Sequence, residues 1–171
     1  MHSVARARRQ RDELGASAVE FALVVPILLT ILFGVITTGT TVSDHLSATN
    51  AVREGARYGA AADVASTTWT QSVKDRVKQV YFNGGATAPT DDQICVRLLK
   101  ADGTTYVESI GTQCGTAPDT PTMAAGSCAV LVWMQRPAKI SLILLPSLNL
   151  EVGGKSVAFY GREAGTTCTA S

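Results

Sequence analysis

The chain is 171 residues long, 46% hydrophobic and 17% charged, and its 15 Lys and Arg against 14 Asp and Glu leave a net charge of +1. Such a length supports one modest core, and so near-neutral a balance excludes the broad basic surface of a nucleic-acid binder and the one-signed field of an electrostatically steered protein. The two histidines are His2 and His45, so residues 46–171 lack the usual base for a serine or cysteine nucleophile.

Residues 1–15 carry Arg6, Arg8, Arg9 and Arg11 against Asp12 and Glu13, a balance of 4 − 2 = +2. From Phe21 to Ser43, 23 residues, there is no Asp, Glu, Lys or Arg. As a helix at about 1.5 Å per residue this run reaches roughly 34 Å, enough to cross a ~30 Å hydrocarbon layer with some tilt. The positive flank precedes the run, which predicts residues 1–15 in the cytoplasm and everything beyond about residue 44 exported. An ordinary cleaved secretory signal fits poorly. The run exceeds the roughly 7–15 apolar residues of a signal core. Its end, Val35-Ile36-Thr37-Thr38-Gly39-Thr40-Thr41, offers no Ala-x-Ala site.

The junction itself is Leu14-Gly15-Ala16-Ser17-Ala18-Val19-Glu20-Phe21. One carboxylate, Glu20, stands at the edge of the apolar run, where a plain anchor gains nothing from it. Gly15, four residues, Glu20-Phe21 and a hydrophobic helix resemble the class III signal of type IV pilin-like proteins. Ala18-Val19-Glu20-Phe21-Ala22-Leu23-Val24-Val25-Pro26 resembles the opening of TadE-like minor pilins of the tight-adherence (Tad) pilus system. Asn50-Ala51-Val52-Arg53-Glu54-Gly55-Ala56-Arg57-Tyr58-Gly59-Ala60 resembles the stretch after that family's membrane helix. Tyr160-Gly161-Arg162-Glu163 resembles, more loosely, the family's closing Arg-x-Glu-like strand.

The resemblance implies a prepilin peptidase that cuts after Gly15, with Ala16 as the new terminus and Glu20 as the fifth mature residue. It implies that Glu20 pairs with the free terminus of a neighbouring subunit. The physics is consistent. A carboxylate carried into a packed helical bundle needs a cation or becomes neutral, and cleavage creates an α-amino group. Pro26 removes one backbone donor and crowds the carbonyl four residues earlier, which predicts a kink or a locally opened helix. The family links such a proline to bending during assembly. Partners implied are other pilins, the Tad assembly platform and the lipid bilayer.

Residues 44–62 are free of proline and rich in alanine, with Leu46, Thr49, Val52, Ala56 and Gly59 at helical spacing. They predict a continuation of the helix whose small residues allow another element to approach. Glu54 and Arg57 can pair, three apart. A break is expected at Asp63-Val64-Ala65-Ser66. A second amphipathic helix is expected over about Thr68–Phe82, with Trp69, Val73, Val77, Val80 and Tyr81 on its core stripe. Asn83-Gly84-Gly85 ends it.

Beyond Gly85 the pattern turns to strands. Ile94–Lys100 and Thr104–Ile110 flank Asp102-Gly103 and predict a hairpin. Residues 111–126 read as a polar loop, and Cys128–Gln135 as the most apolar, central strand. Ile140–Leu148 is apolar but broken by Pro146, and is expected as a turn or lid. Asn149–Val152 and Lys155–Arg162 complete the sheet around a bulge or turn at Gly153-Gly154.

All four cysteines, Cys95, Cys114, Cys128 and Cys168, fall on the side expected to be exported. An even count there predicts two disulfides. Three pairings are open, and an antiparallel arrangement favours Cys95–Cys114 with Cys128–Cys168. Zinc is disfavoured because the spacings of 18, 13 and 39 intervening residues contain no close pair.

The expected architecture is α+β: a leader (1–15), a membrane and assembly helix (16–43), its exported continuation (44–62), an exported domain with a short helix and an antiparallel sheet of about four strands (63–163), and a tail (164–171). The expected function is a minor pilin or pseudopilin, not an enzyme, with no cofactor, metal, nucleic acid or small-molecule substrate. The alternative is an uncleaved single-pass anchor carrying an exported binding domain.

Overall fold

The computed structural model describes residues 3–64, 67–83, 87–142 and 145–160, of which 3–16, 82–83, 139–142 and 145–148 are described by their backbone alone. Helix α1 runs Ser3–Ala61 and α2 runs Trp69–Asn83. A 3-10 turn, Asp91–Gln93, leads into strand β1 (Ile94–Lys100), followed by β2 (Thr105–Ser109), β3 (Cys128–Leu142) and β4 (Leu145–Phe159). The four strands form one sheet in the order β2-β1-β3-β4, and β1 is antiparallel to both of its neighbours. The α+β architecture with about four antiparallel strands is therefore the one the sequence predicts.

The structure divides into two compact units. One comprises α1 as far as Thr40 together with Ile140–Leu148; the other comprises residues 41–139 and those from Asn149 onward.

In the second unit, alternation along the strands gives the sheet two apolar faces. Ile94, Val96, Leu98, Val130, Val132, Met134 and Val152 face the helices, where Ala48, Ala51, Val52 and Ala56 of α1 meet Trp69, Val73, Val77 and Tyr81 of α2. The close fit follows from missing side chains. A Cβ on Gly55 would come within 2.4 Å of a Val77 methyl, and one on Gly59 within 3.0 Å of Val73 and 3.1 Å of Val130. The opposite face of the sheet, with Leu99, Ala129, Leu131 and Trp133, is covered by the loop 110–127 through Cys114, Ala117 and Met123.

The β1–β2 turn is built as the sequence predicts. Asp102 Oδ1 accepts hydrogen bonds from Thr104 N at 2.8 Å and Thr104 Oγ1 at 2.6 Å, and Gly103 takes φ +79°. Across the hairpin Arg97 and Glu108 stand opposite one another and pair at 2.8 Å.

Two expectations are corrected. Residues 140–148 are not a turn or lid packed as a separate element; apart from 143–144, which are outside the described residues, they extend β3 and begin β4. Gly153-Gly154 is neither a turn nor the gap between two short strands, because β4 is continuous from Leu145 to Phe159. Gly154 is required for packing instead. A Cβ there would lie 2.8 Å from Thr49 Cα and 3.0 Å from the Ala48 carbonyl, so strand backbone rests directly on helix backbone.

Candidate assembly helix and its junction

From Ser17 onward α1 is long and apolar enough to cross a membrane, with a mean hydropathy of 2.6 over its most apolar stretch and none of that stretch buried. Phe21 is 70% exposed, Leu23 68% and Ile27 62%, whereas Val52, on the same helix, is fully buried. So large an unburied apolar surface is untenable in water and suits lipid or other helices.

The threonines in this stretch are tolerated because their hydroxyls return to the helix. Thr30 Oγ1 donates to the Pro26 carbonyl at 2.8 Å, Thr37 to Phe33 at 2.7 Å and Thr38 to Gly34 at 2.8 Å. Each hydroxyl proton is thereby satisfied without water. Pro26 lies inside α1, which continues through it as helix on both sides.

Glu20 and Phe21 are both exposed, and Glu20 is the sole charged residue from Ser17 to Ser43. Gly15 and Ala16 lie within the helical backbone of α1, and their surroundings are outside the described residues. The structure thus places Gly15, Ala16, Glu20, Phe21 and Pro26 on one continuous helix.

Cys95 and Cys114 form a disulfide, as the sequence predicts. Cys128 is also disulfide-bonded; Cys168, the partner expected for it, lies outside the described residues, as do Gly161, Arg162 and Glu163. The Cys95–Cys114 bridge pins the loop 110–127 to β1. Around it Gln113 N donates to the Asp92 carbonyl at 2.8 Å, and Trp133 Nε1 donates to the Gly115 carbonyl at 3.2 Å. Arg97 lies over the Trp133 ring at 5.7 Å on the same face.

The segment after the candidate span carries functional-looking charges whose roles are architectural. Glu54 accepts a 2.6 Å ion pair from Arg76 of α2 and a longer one, 3.8 Å, from Arg57. The Arg76 guanidinium holds the Glu54 carboxyl below the usual carboxylate range, against the opposing effect of partial burial. Sequence spacing finds the Arg57 partner but not Arg76, which is 22 residues away. Tyr160 was likewise missed as a closing group. Its hydroxyl donates to the Ala62 carbonyl at 3.0 Å and accepts from Val64 N at 3.1 Å, and Trp69 Nε1 donates to the Gly59 carbonyl at 3.1 Å. These bonds satisfy groups around the end of α1 that the helix itself leaves unpaired.

A cavity of about 470 Å³ is lined by residues that include His45, Cys114, Gln135, Glu151 and Lys155. The Cys114 sulfur is held in its disulfide, so His45 and Cys114 do not make a nucleophile and base there. Among the described residues no three His, Cys, Asp or Glu side chains are grouped to hold a metal ion.

No curated protein and no solved structure matched this chain. A family model did: residues 15–57 match the one described as TadE-like protein. That range opens at Gly15, includes Glu20, Phe21 and Pro26, and closes at Arg57, three residues after Glu54. Over this segment, which holds the candidate span and the start of its packed continuation, the chain is similar to the TadE-like family.

Proposed function

We propose that the chain is a minor pilin or pseudopilin of a Tad-type pilus. It is made as a membrane precursor with residues 1–15 in the cytoplasm, and a prepilin peptidase cuts it between Gly15 and Ala16. The helix from Ala16 to Ser43 is then the assembly element, and residues 63–163 form the exported domain through which adhesion or fibre contacts are made. Its partners are other pilins, the assembly platform and the bilayer, and it performs no catalysis.

One observation carries this reading: a lone carboxylate on an unburied apolar helix, five residues after a glycine, within the segment that matches the TadE-like family. In lipid alone Glu20 at the membrane edge is of no use. In a bundle of such helices it needs a cation, and the Ala16 amino group created by cleavage is one.

Glu20→Gln tests the assignment. It removes the charge and keeps the shape, so insertion and envelope levels should stay normal while piliation falls severely. Normal piliation by Glu20→Gln would reduce the chain to an anchored binding domain that is never polymerised.

A further inference from the structure

The described lining of the cavity of about 470 Å³ falls within one compact unit, the one that holds residues 41–139 and those from Asn149 onward. Two of its lining residues are opposite charges on one strand. Glu151 and Lys155 are four positions apart on β4 and share a face by alternation, about 13 Å apart along the strand at ~3.3 Å per residue. Between them stands Gly153, where the Met134 carbonyl leaves no room for a Cβ. The strand between the two charges is therefore bare backbone on that face.

Neither charge is neutralised by the fold. Among the described residues, Lys155 Nζ reaches only the Ala117 carbonyl, at 3.5 Å, and Glu151 only the side-chain amide of Gln135, which donates to it. Both side chains are exposed. Elsewhere in the same unit Glu54 pairs with Arg76, Lys78 with Asp75 and Asp91, and Arg97 with Glu108. A cation and a carboxylate that face one cavity without pairing are the complement of a ligand that carries both charges.

His45 brings α1 into the same lining. It stands two positions after Ser43, the last residue of the uncharged run, and both belong to this unit. Two positions are about 3 Å of helix rise. Where a spanning helix leaves the hydrocarbon, the first groups it meets are lipid head groups.

We propose that the cavity binds phosphoethanolamine, the zwitterionic head group of a phospholipid. The Lys155 ammonium, a compact point charge, takes the phosphate, to whose oxygens the His45 imidazole and the Thr116 hydroxyl can donate. The Glu151 carboxylate, held by Gln135, accepts from the primary ammonium, which has three N–H donors. The same lining disfavours the neighbouring head groups. Choline has no N–H to give Glu151 and is recognised through aromatic faces, and no Phe, Tyr or Trp is among the described residues of the lining. A glycerol head group brings phosphate without a cation and leaves Glu151 facing a like charge.

The inference needs α1 to leave lipid near Ser43. Cleavage after Gly15 and piliation do not enter it, so its failure and that of the proposed function are separate results. The test is amide NMR of the isotope-labelled full chain in maltoside micelles, titrated with dihexanoyl phosphatidylethanolamine, phosphatidylcholine or phosphatidylglycerol. The expected result is saturable shifts at Thr116, Gln135 and Gly153, with the ethanolamine lipid acting at roughly tenfold lower concentration than the other two, the worth of one hydrogen bond to a charged group. Lys155→Gln should weaken the ethanolamine lipid by a similar factor. Glu151→Gln should abolish its advantage over the glycerol lipid, because only the ammonium contact is lost. The amides of α2, which does not line the cavity among the described residues, report that both variants remain folded. Equal responses to the three lipids, or shifts that grow without saturation, would overturn the inference, because immersion in a micelle selects no head group. An unchanged preference in Glu151→Gln would sink it as well. Glycerophosphoethanolamine, the head group without acyl chains, separates the sources. Weaker binding than by the lipid supports a bilayer ligand, whereas equal binding would assign the cavity to a soluble phosphodiester and overturn the lipid.

Discussion

Glu54 shows how one side chain in the family-matched segment serves the fold. It lies on α1 and pairs with Arg76 on α2 at 2.6 Å, so it ties the stem to the helix that lies over it. Both groups are about one-third exposed, and solvent screening keeps the pair to roughly 0.5–1 kcal/mol. The folded-state pKa of Glu54 lies below its ordinary value. A depressed carboxylate stabilises the fold above its unfolded-state pKa, and that contribution disappears as pH falls through the folded-state value. Glu54→Gln should therefore unfold at lower denaturant concentration than the parent at pH 7. The gap should close as the pH is taken below the carboxylate range. A gap that persists in acid would mean that the loss came from packing and not from charge.

At the scale of elements, periodicity exposed most of the architecture because each signal was local. The α2 stripe of Trp69, Val73, Val77 and Tyr81 is buried as its spacing demands. The Asp102-Gly103 turn folds as its residue types require. The junction at Gly15 to Pro26 was legible for a different reason, as a family pattern and not as geometry. What escaped was long-range. Gly153-Gly154 looks like a turn until α1 is laid against it, and Pro146 looks like a strand breaker until β4 is seen to be an edge strand, where proline is tolerated. Arg76 and Tyr160 pair with groups 22 and 98 residues away, distances at which no period is visible.

The loop 110–127 is the element most dependent on covalent chemistry. Few apolar side chains hold it to the sheet: Cys114, Ala117 and Met123 cover Leu99, Leu131 and Trp133. Its bridge closes a separation of 19 residues, worth about 2–4 kcal/mol by restricting the unfolded chain. Cys95→Ala/Cys114→Ala should lose stability of that order. Amide exchange should accelerate at Gly111 and Gln113 while the α2 amides keep their protection. If α2 loses protection equally, the bridge supports the whole domain and not just its loop.

At the scale of the whole molecule, one sequence combines an uncovered apolar helix with a domain that buries two faces of a small sheet. On the proposed function, the combination suits a subunit that is stored in lipid and later exchanges lipid for neighbouring helices. Residues 15–57 match a TadE-like family. Assembly on this account is licensed by a covalent event, because the cation that Glu20 needs does not exist until the bond after Gly15 is cut.

The most direct measurement is the mature N-terminus of the protein isolated from cell envelopes, by mass spectrometry, in strains with and without prepilin peptidase. The account predicts a chain that begins at Ala16 when the peptidase is present and retains residues 1–15 when it is absent. A chain that retains residues 1–15 in both strains, with its helix in the membrane, would contradict it.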